Sequence, residues 1–166
     1  MWVICKYKRN SFNFLKSNIK KKFSSQLKIY NPTIKYEKIS KGKKVIIEEN
    51  ILENYCFLYH PSFNNNSLVS QLKYMKGIDF FLQGWKENQK QITNFLDYCK
   101  INENTDGFIC QSFFSNLVND QGIFLNGPFA NSLFLILEKY KNKLKILVRD
   151  FQVTIDKNSN YLYRSL

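Results

Sequence analysis

The first 23 residues, MWVICKYKRNSFNFLKSNIKKKF (1–23), decide how the chain is read. Over Trp2–Tyr7 the side chains keep a period of two, which predicts a strand with one buried face. From Phe12 the period changes. Phe12, Leu15, Ile19 and Phe23 recur at helical spacing, with Ser11 placed to cap the helix and Lys16, Lys20, Lys21 and Lys22 on its other faces. A strand that runs directly into a lysine-rich helix is the first sign of an α+β fold with a basic surface. The charge distribution agrees. Thirteen of the 25 Lys and Arg residues lie within residues 1–47, opposed there only by Glu37, whereas residues 48–166 are balanced, so the formal net charge of +12 sits in the first third. Clustered positive potential attracts polyanions through counterion release, nucleic acid being the commonest partner and an acidic protein or membrane surface the alternatives.

Beyond residue 23 the pattern is that of a meander. Residues 29–36 are interrupted by Asn31-Pro32, and 43–48 and 54–59 read as strands separated by the turns 40–42 and 49–53. A polar loop follows at 60–66. Leu68, Leu72 and Met75 then fit a short helix stopped by Gly77, residues 78–82 a further strand, and Ile92, Phe95, Leu96 and Cys99 a third helical stripe. The composition of KINENTDG (100–107) is that of a linker, and residues 117–125 with the turn Asn126-Gly127-Pro128 open a small β module. Residues 133–151 fit two templates. At period two, Leu133, Leu135 and Leu137 with Leu144, Ile146 and Val148 form two strands; at period 3.6, Leu133, Ile136, Tyr140, Leu144, Leu147 and Phe151 share one helical face.

Composition narrows the function. At 166 residues, with 44% hydrophobic and 16% aromatic residues, the chain has enough apolar surface for a packed core. No apolar run reaches a membrane span of ~18 residues, and the start is too short for a secretory h-region, so a cytoplasmic protein with no membrane partner is expected. Cys5, Cys56, Cys99 and Cys110 show no C-x-x-C spacing and His60 is the single histidine, so free thiols and no metal or cofactor are expected. Catalysis by acid and base needs convergent titratable groups. Adjacent Glu48 and Glu49 point to opposite faces of a strand, and no glycine loop is built to hold phosphate, so a binding protein rather than an enzyme is expected.

With these elements in order, the chain resembles the NusG-like transcription elongation factors. The likeness is carried by Lys8-Arg9 after the first strand, YEKISKGKKV (36–45), ILENYCFLYHP (51–61), Lys76-Gly77-Ile78 and NDQGIFLNGPFAN (119–131), in which Gly127-Pro128-Phe129-Ala130 is the most diagnostic tetrapeptide. Within the family these strings are most similar to the RfaH branch of specialised antitermination paralogs. Two positions depart from the family pattern. Leu52-Glu53-Asn54-Tyr55 stands where Phe-Pro-Gly-Tyr is usual, and Asp150-Phe151-Gln152 where Phe-Gly-Arg is usual.

The resemblance implies a NusG-like N-terminal domain over 1–100, with an antiparallel sheet and flanking helices, a linker over 101–115, and a KOW-like C-terminal module over 116–166. That module is an SH3-like β barrel in the family, and the double period of 133–151 leaves a helical, docked form open. It also implies binding of the non-template DNA strand by Lys8, Arg9, Asn10 and Lys16, with Lys73 and Lys76 flanking, while a merely solvated basic face is the alternative. Tyr55 and Phe57 match positions that help form the apolar pocket for the polymerase clamp helices, or else they fill the sheet core. Ser67, Ser70 and Gln71 correspond to the gate-loop contact, with Ser67 alternatively an ordinary helix cap. Gly127, Pro128 and Phe129 form the KOW turn. The partners implied are the large subunits of RNA polymerase, the non-template strand and, through the C-terminal module, a ribosomal protein, all bound by a monomer. A housekeeping NusG and a ribosome-associated RNA-binding KOW protein are the rival readings.

Overall fold

The computed structural model describes residues 1–23, 26–115 and 121–165. The chain forms two compact units, one made of Met1–Thr33 with Asn50–Tyr98 and the other of Ile34–Glu49 with Cys99–Leu166. In chain order the first unit carries β1 (Trp2–Tyr7), α1 (Phe12–Lys22) and β2 (Lys28–Tyr30). The hairpin β3 (Thr33–Ser40) and β4 (Lys43–Asn50) then contributes most of its length to the second unit. The first unit resumes with β5 (Tyr55–Tyr59), α2 (Asn66–Leu72), β6 (Ile78–Phe81) and α3 (Gln89–Ile101) as far as Tyr98. The α+β class and antiparallel pairing expected from the sequence are present.

The sheet of the first unit has the order β2-β5-β1-β6, with every pair antiparallel. Alternation in β1 places Val3, Cys5 and Tyr7 on one face, each buried, and Trp2, Ile4 and Lys6 on the other. The first face takes α1, as the Tyr7 and Phe12 rings at 5.2 Å show, and the second takes α3, through Phe57 and Phe95 at 5.7 Å. The register of β6 on β1 covers Cys5, Lys6 and Tyr7, and among the described residues no strand pairs with Trp2 on that side. Gln89 takes its place: its Oε1 accepts from the Trp2 amide at 3.0 Å and its Nε2 donates to the Trp2 carbonyl at 2.7 Å, so α3 is pinned to the sheet edge. A second tie is Asn50, whose side-chain amide donates to the carbonyl of Tyr55 at 2.7 Å and to Asn31 Oδ1 at 2.7 Å, fixing the chain where it re-enters this unit.

In the second unit, α4 (Gln111–Ser115), β7 (Gln121–Phe124), β8 (Leu133–Lys139), β9 (Lys143–Val148), β10 (Phe151–Asp156) and β11 (Tyr163–Ser165) follow one another. The five strands form an antiparallel sheet of order β10-β9-β8-β7-β11, so the last strand returns to pair with the first. Phe124 is the centre of its core, with ring centroids of Phe134 at 4.7 Å, Phe129 at 5.7 Å and Tyr163 at 6.0 Å. Two glycines are required here by close approach. A Cβ at Gly122 would stand 2.5 Å from Phe134 and 2.8 Å from the Arg164 carbonyl, and one at Gly127, where φ is +76°, would stand 2.7 Å from the Tyr161 ring.

The structure resolves the two templates of residues 133–151 in favour of strands. Phe134 and Ile136 pair with Val148 and Ile146 on the buried face, leaving Leu133, Leu135 and Leu137 outside. Period alone could not decide this, because the pairing partners that select it lie in the rest of the sheet. Several local expectations are corrected. Ser11 occupies the cap position of α1, but its hydroxyl donates to the Arg9 carbonyl and caps no helix amide. Asn65, not Ser67, caps α2: its Oδ1 accepts from the Ser67 amide at 2.9 Å. Within 101–115, the stretch expected as a linker, α4 (Gln111–Ser115) and local hydrogen bonds are present. Asn104 Oδ1 accepts from the amides of Asp106 and Phe108, and Gln111 brackets the Tyr163 backbone. Of the strand expected over 117–125, residues 121–124 are extended, and residues 116–120 lie outside the described part. Among the described residues no helix is long and apolar enough to cross a membrane.

Candidate nucleic-acid and protein interfaces

The tight turn after β1 exposes Lys8, Arg9 and Asn10, with Asn10 in the left-handed region at φ +60°. The Lys8 amide donates to the Gly77 carbonyl at 3.0 Å, which brings this turn beside the one between α2 and β6. Lys8, Arg9, Asn10 and Lys76 therefore come together from positions almost seventy residues apart in the chain. The Lys76 ammonium lies 5.6 Å from the centre of the Phe14 ring on α1. Lys16 is exposed on the same helix, and Lys73 follows the last turn of α2, its ammonium 4.9 Å from the Tyr74 ring. Among the described residues none of the five cations, Lys8, Arg9, Lys16, Lys73 and Lys76, is held in an ion pair; the salt bridges present join Lys35 to Glu48, Lys44 to Glu37, Lys145 to Glu138 and Arg164 to Glu49. Their charge is thus available to a polyanion.

Ser67, Ser70 and Gln71 are brought onto one exposed face of α2 by their spacing of three and four residues. Ser67 Oγ is engaged at 2.8 Å by Asn65 Oδ1. Only Ser70 of the three reaches the wide polar cleft of about 680 Å³ that Lys73, Tyr74, Asp79, Lys86 and Glu87 also line.

On the α3 side of the sheet, Tyr55 and Phe57 point the same way, since their partners across the ladder are Lys6 and Ile4. They do different things. Phe57 is 3% exposed and walls an apolar cavity of about 420 Å³ together with Ile4, Leu52, Trp85, Ile92 and Phe95. It fills the core and lines the cavity at once. Tyr55 stands outside that cavity, half-buried, with the Lys6 ammonium 5.6 Å from its ring and 5.2 Å from that of Phe80. The long arm of Lys6 so covers apolar surface while its charge faces two aromatic rings.

In the second unit Gly127, Pro128 and Phe129 form the turn between β7 and β8, closed by the Ala130 amide donating to the Gly127 carbonyl at 3.1 Å. Phe129 packs on Phe124, so the turn is anchored to the core. The Asp150-Phe151-Gln152 segment opens β10 and leaves Phe151 72% exposed.

Several titratable groups are held by local contacts. Among the described residues no three of His, Cys, Asp or Glu cluster as a metal set. His60 Nδ1 accepts from the Ser62 amide at 3.2 Å, and its ring rests on Phe23 at 4.9 Å. Glu49 accepts from Tyr36 at 3.0 Å, and burial together with that carboxylate pushes the phenol up to about 12. Cys5 and Cys56 are opposite each other across β1 and β5, and the hydrogen bond between them plus burial raises the Cys5 thiol, so it stays a free, inert thiol. Sequence reasoning missed this pair, the Lys6 cluster, and Trp85 and Phe95 as cavity walls. The aromatic residues themselves were visible, but the register that groups them was not.

No family model and no curated protein matches the chain. Among solved structures, one from the MjSpt4:Spt5 complex in conformation B aligns over 100% of this chain and 98% of that one, with 11% identity and a TM-score of 0.29.

Proposed function

We propose that the chain is a NusG-like transcription elongation factor that acts by binding in the cytoplasm and performs no chemistry of its own. The observation that carries this reading is the apolar cavity around Phe57, in the same unit as the Lys8, Arg9 and Lys76 cluster, which is in no ion pair among the described residues. A concave apolar site with aromatic walls suits the end of a partner helix, and a basic turn with an adjoining Asn suits a nucleic-acid strand. In this reading the clamp helices of the polymerase enter the cavity, the exposed non-template strand runs along the basic turns, and the exposed face of α2 with Ser67, Ser70 and Gln71 meets the gate loop. Holding these elements together suppresses pausing.

The finer form of the proposal is an RfaH-like antitermination factor that needs a particular non-template sequence. The strand order of the second unit, with the last strand paired to the first, supports a KOW-like barrel. Through it the protein recruits a ribosomal protein or another factor. The test is binding of the full chain to bacterial elongation complexes whose bubbles expose different non-template sequences. Binding to one sequence supports the specialised factor, equal binding to all supports a general one, and binding to none overturns the proposal.

A further inference from the structure

Phe14 on α1 is 45% exposed and Tyr74 is 81% exposed, although both are large rings in a unit with a well-filled core. Single exposed aromatics are ordinary. These two share three features that set them apart. Each has a lysine ammonium at its ring, Lys76 at 5.6 Å from Phe14 and Lys73 at 4.9 Å from Tyr74. Both belong to one patch, because Tyr74, Lys73 and Lys76 lie on the turn that ends at Gly77, and the Phe14 ring stands 3.4 Å from where a Cβ on Gly77 would be. The carbonyl of that same Gly77 accepts from Lys8, so the patch is continuous with the basic turn.

A single nucleic-acid strand alternates anionic phosphates with flat apolar bases, and proteins that bind one combine cations for the former with aromatic platforms for the latter. Lysines alone would hold the phosphates of duplex and single strand alike. We propose that Phe14 and Tyr74 are stacking platforms for unpaired DNA bases, with Lys76 and Lys73 placed to meet the flanking phosphates. This rests on the reading of Lys8, Arg9 and Lys76 as a DNA surface and adds to it the component that selects single-stranded over paired DNA. Stacking tolerates any base, so sequence preference must come from other contacts, such as Asn10.

The experiment compares binding of the full chain to a fluorescein-labelled oligothymidylate of roughly a dozen nucleotides and to an abasic strand of equal length and charge, by anisotropy at several salt concentrations. The wild-type chain should bind the thymidylate roughly tenfold more tightly than the abasic strand. Phe14→Ala and Tyr74→Ala should each reduce that difference while leaving abasic binding and the salt slope unchanged. Phe14→Leu, which keeps the apolar contact with Gly77 but has no ring, should behave as Phe14→Ala does. Equal wild-type affinity for the two strands, or variants that weaken both strands alike, would overturn the stacking role while leaving the basic DNA surface standing. Failure of the wild-type chain to bind either strand would overturn both.

Discussion

The Lys8 amide donates a hydrogen bond to the Gly77 carbonyl at 3.0 Å, and this one bond makes a single surface of two basic turns distant in sequence. Because Lys8, Arg9 and Lys76 are in no ion pair among the described residues, each can exchange a condensed counterion of the nucleic acid for its own charge. Replacing Lys8 and Arg9 together by Ala should reduce the slope of log K against log salt by about 1 to 2 for single-stranded DNA. Anisotropy titrations across a salt series measure it; an unchanged slope would remove these residues from the interface.

The cavity predicts a separation between stability and binding. Phe57→Ala removes a ring that packs on Phe95 and should cost about 3–5 kcal/mol, enough to endanger the fold. Leu52, half-buried at the cavity wall, offers a cleaner probe. Leu52→Glu should leave the far-UV spectrum intact and abolish polymerase binding, because a carboxylate cannot be desolvated against the apolar end of a helix. Tyr55→Ala, outside the cavity, should weaken binding less.

At the start of α2, Asn65, Asn66 and Ser67 are all of the type that caps helices, and it is Asn65 that caps. Asn65→Ala should cost about 1 kcal/mol in urea unfolding, within the usual range for a lost cap. Ser67→Ala should cost a small fraction of that, since it loses only a hydroxyl bond to Asn65.

Gly122→Ala tests the packing of the second unit. Its Cβ would collide with the Phe134 ring and with backbone at Arg164, so the strand pair β7–β11 must shift to admit it. Overpacking of this kind should cost about 1–3 kcal/mol. A melting temperature equal to that of the parent chain would contradict the register described.

Tyr36 gives a pH dependence with a definite sign. Its phenol is raised to about 12 by burial and by the Glu49 carboxylate, above the ordinary value of 10. The unfolded chain therefore ionises first. The stabilisation is present in full below pH 10 and is lost as the pH rises through 10 towards about 12. Stability curves of the parent and of Tyr36→Phe should converge or cross over that window; a constant offset would remove the Tyr36–Glu49 bond from the account.

What was legible in the sequence was local. Trp2–Tyr7 and Phe12–Lys22 declare themselves because alternation and helical spacing reflect burial by a single neighbouring layer. The basic first third was equally plain, and so was the turn at Gly127. Residues 133–151 were not legible, because a leucine-rich segment satisfies both periods and the choice is made by Ile146, Val148 and the strands around them. The same holds for the interfaces. Lys8 and Phe57 could be named from the sequence, but that Lys8 adjoins Gly77, that Cys5 faces Cys56, and that Trp85 and Phe95 close a cavity over Phe57 depends on strand register and helix placement, which no short window contains. The stretch KINENTDG (100–107) is polar like a linker, yet the Asn104 side chain within it accepts from the Asp106 and Phe108 amides, a local contact that composition does not show.

The most direct test of the central claim is binding of the full chain and its Leu52→Glu variant to bacterial RNA polymerase elongation complexes with the non-template strand exposed or covered by a complementary strand. The account predicts that the parent chain binds the exposed complex, binds the covered one markedly less, and that the variant binds neither. Absence of binding by the parent chain, or equal binding by the variant, would contradict it.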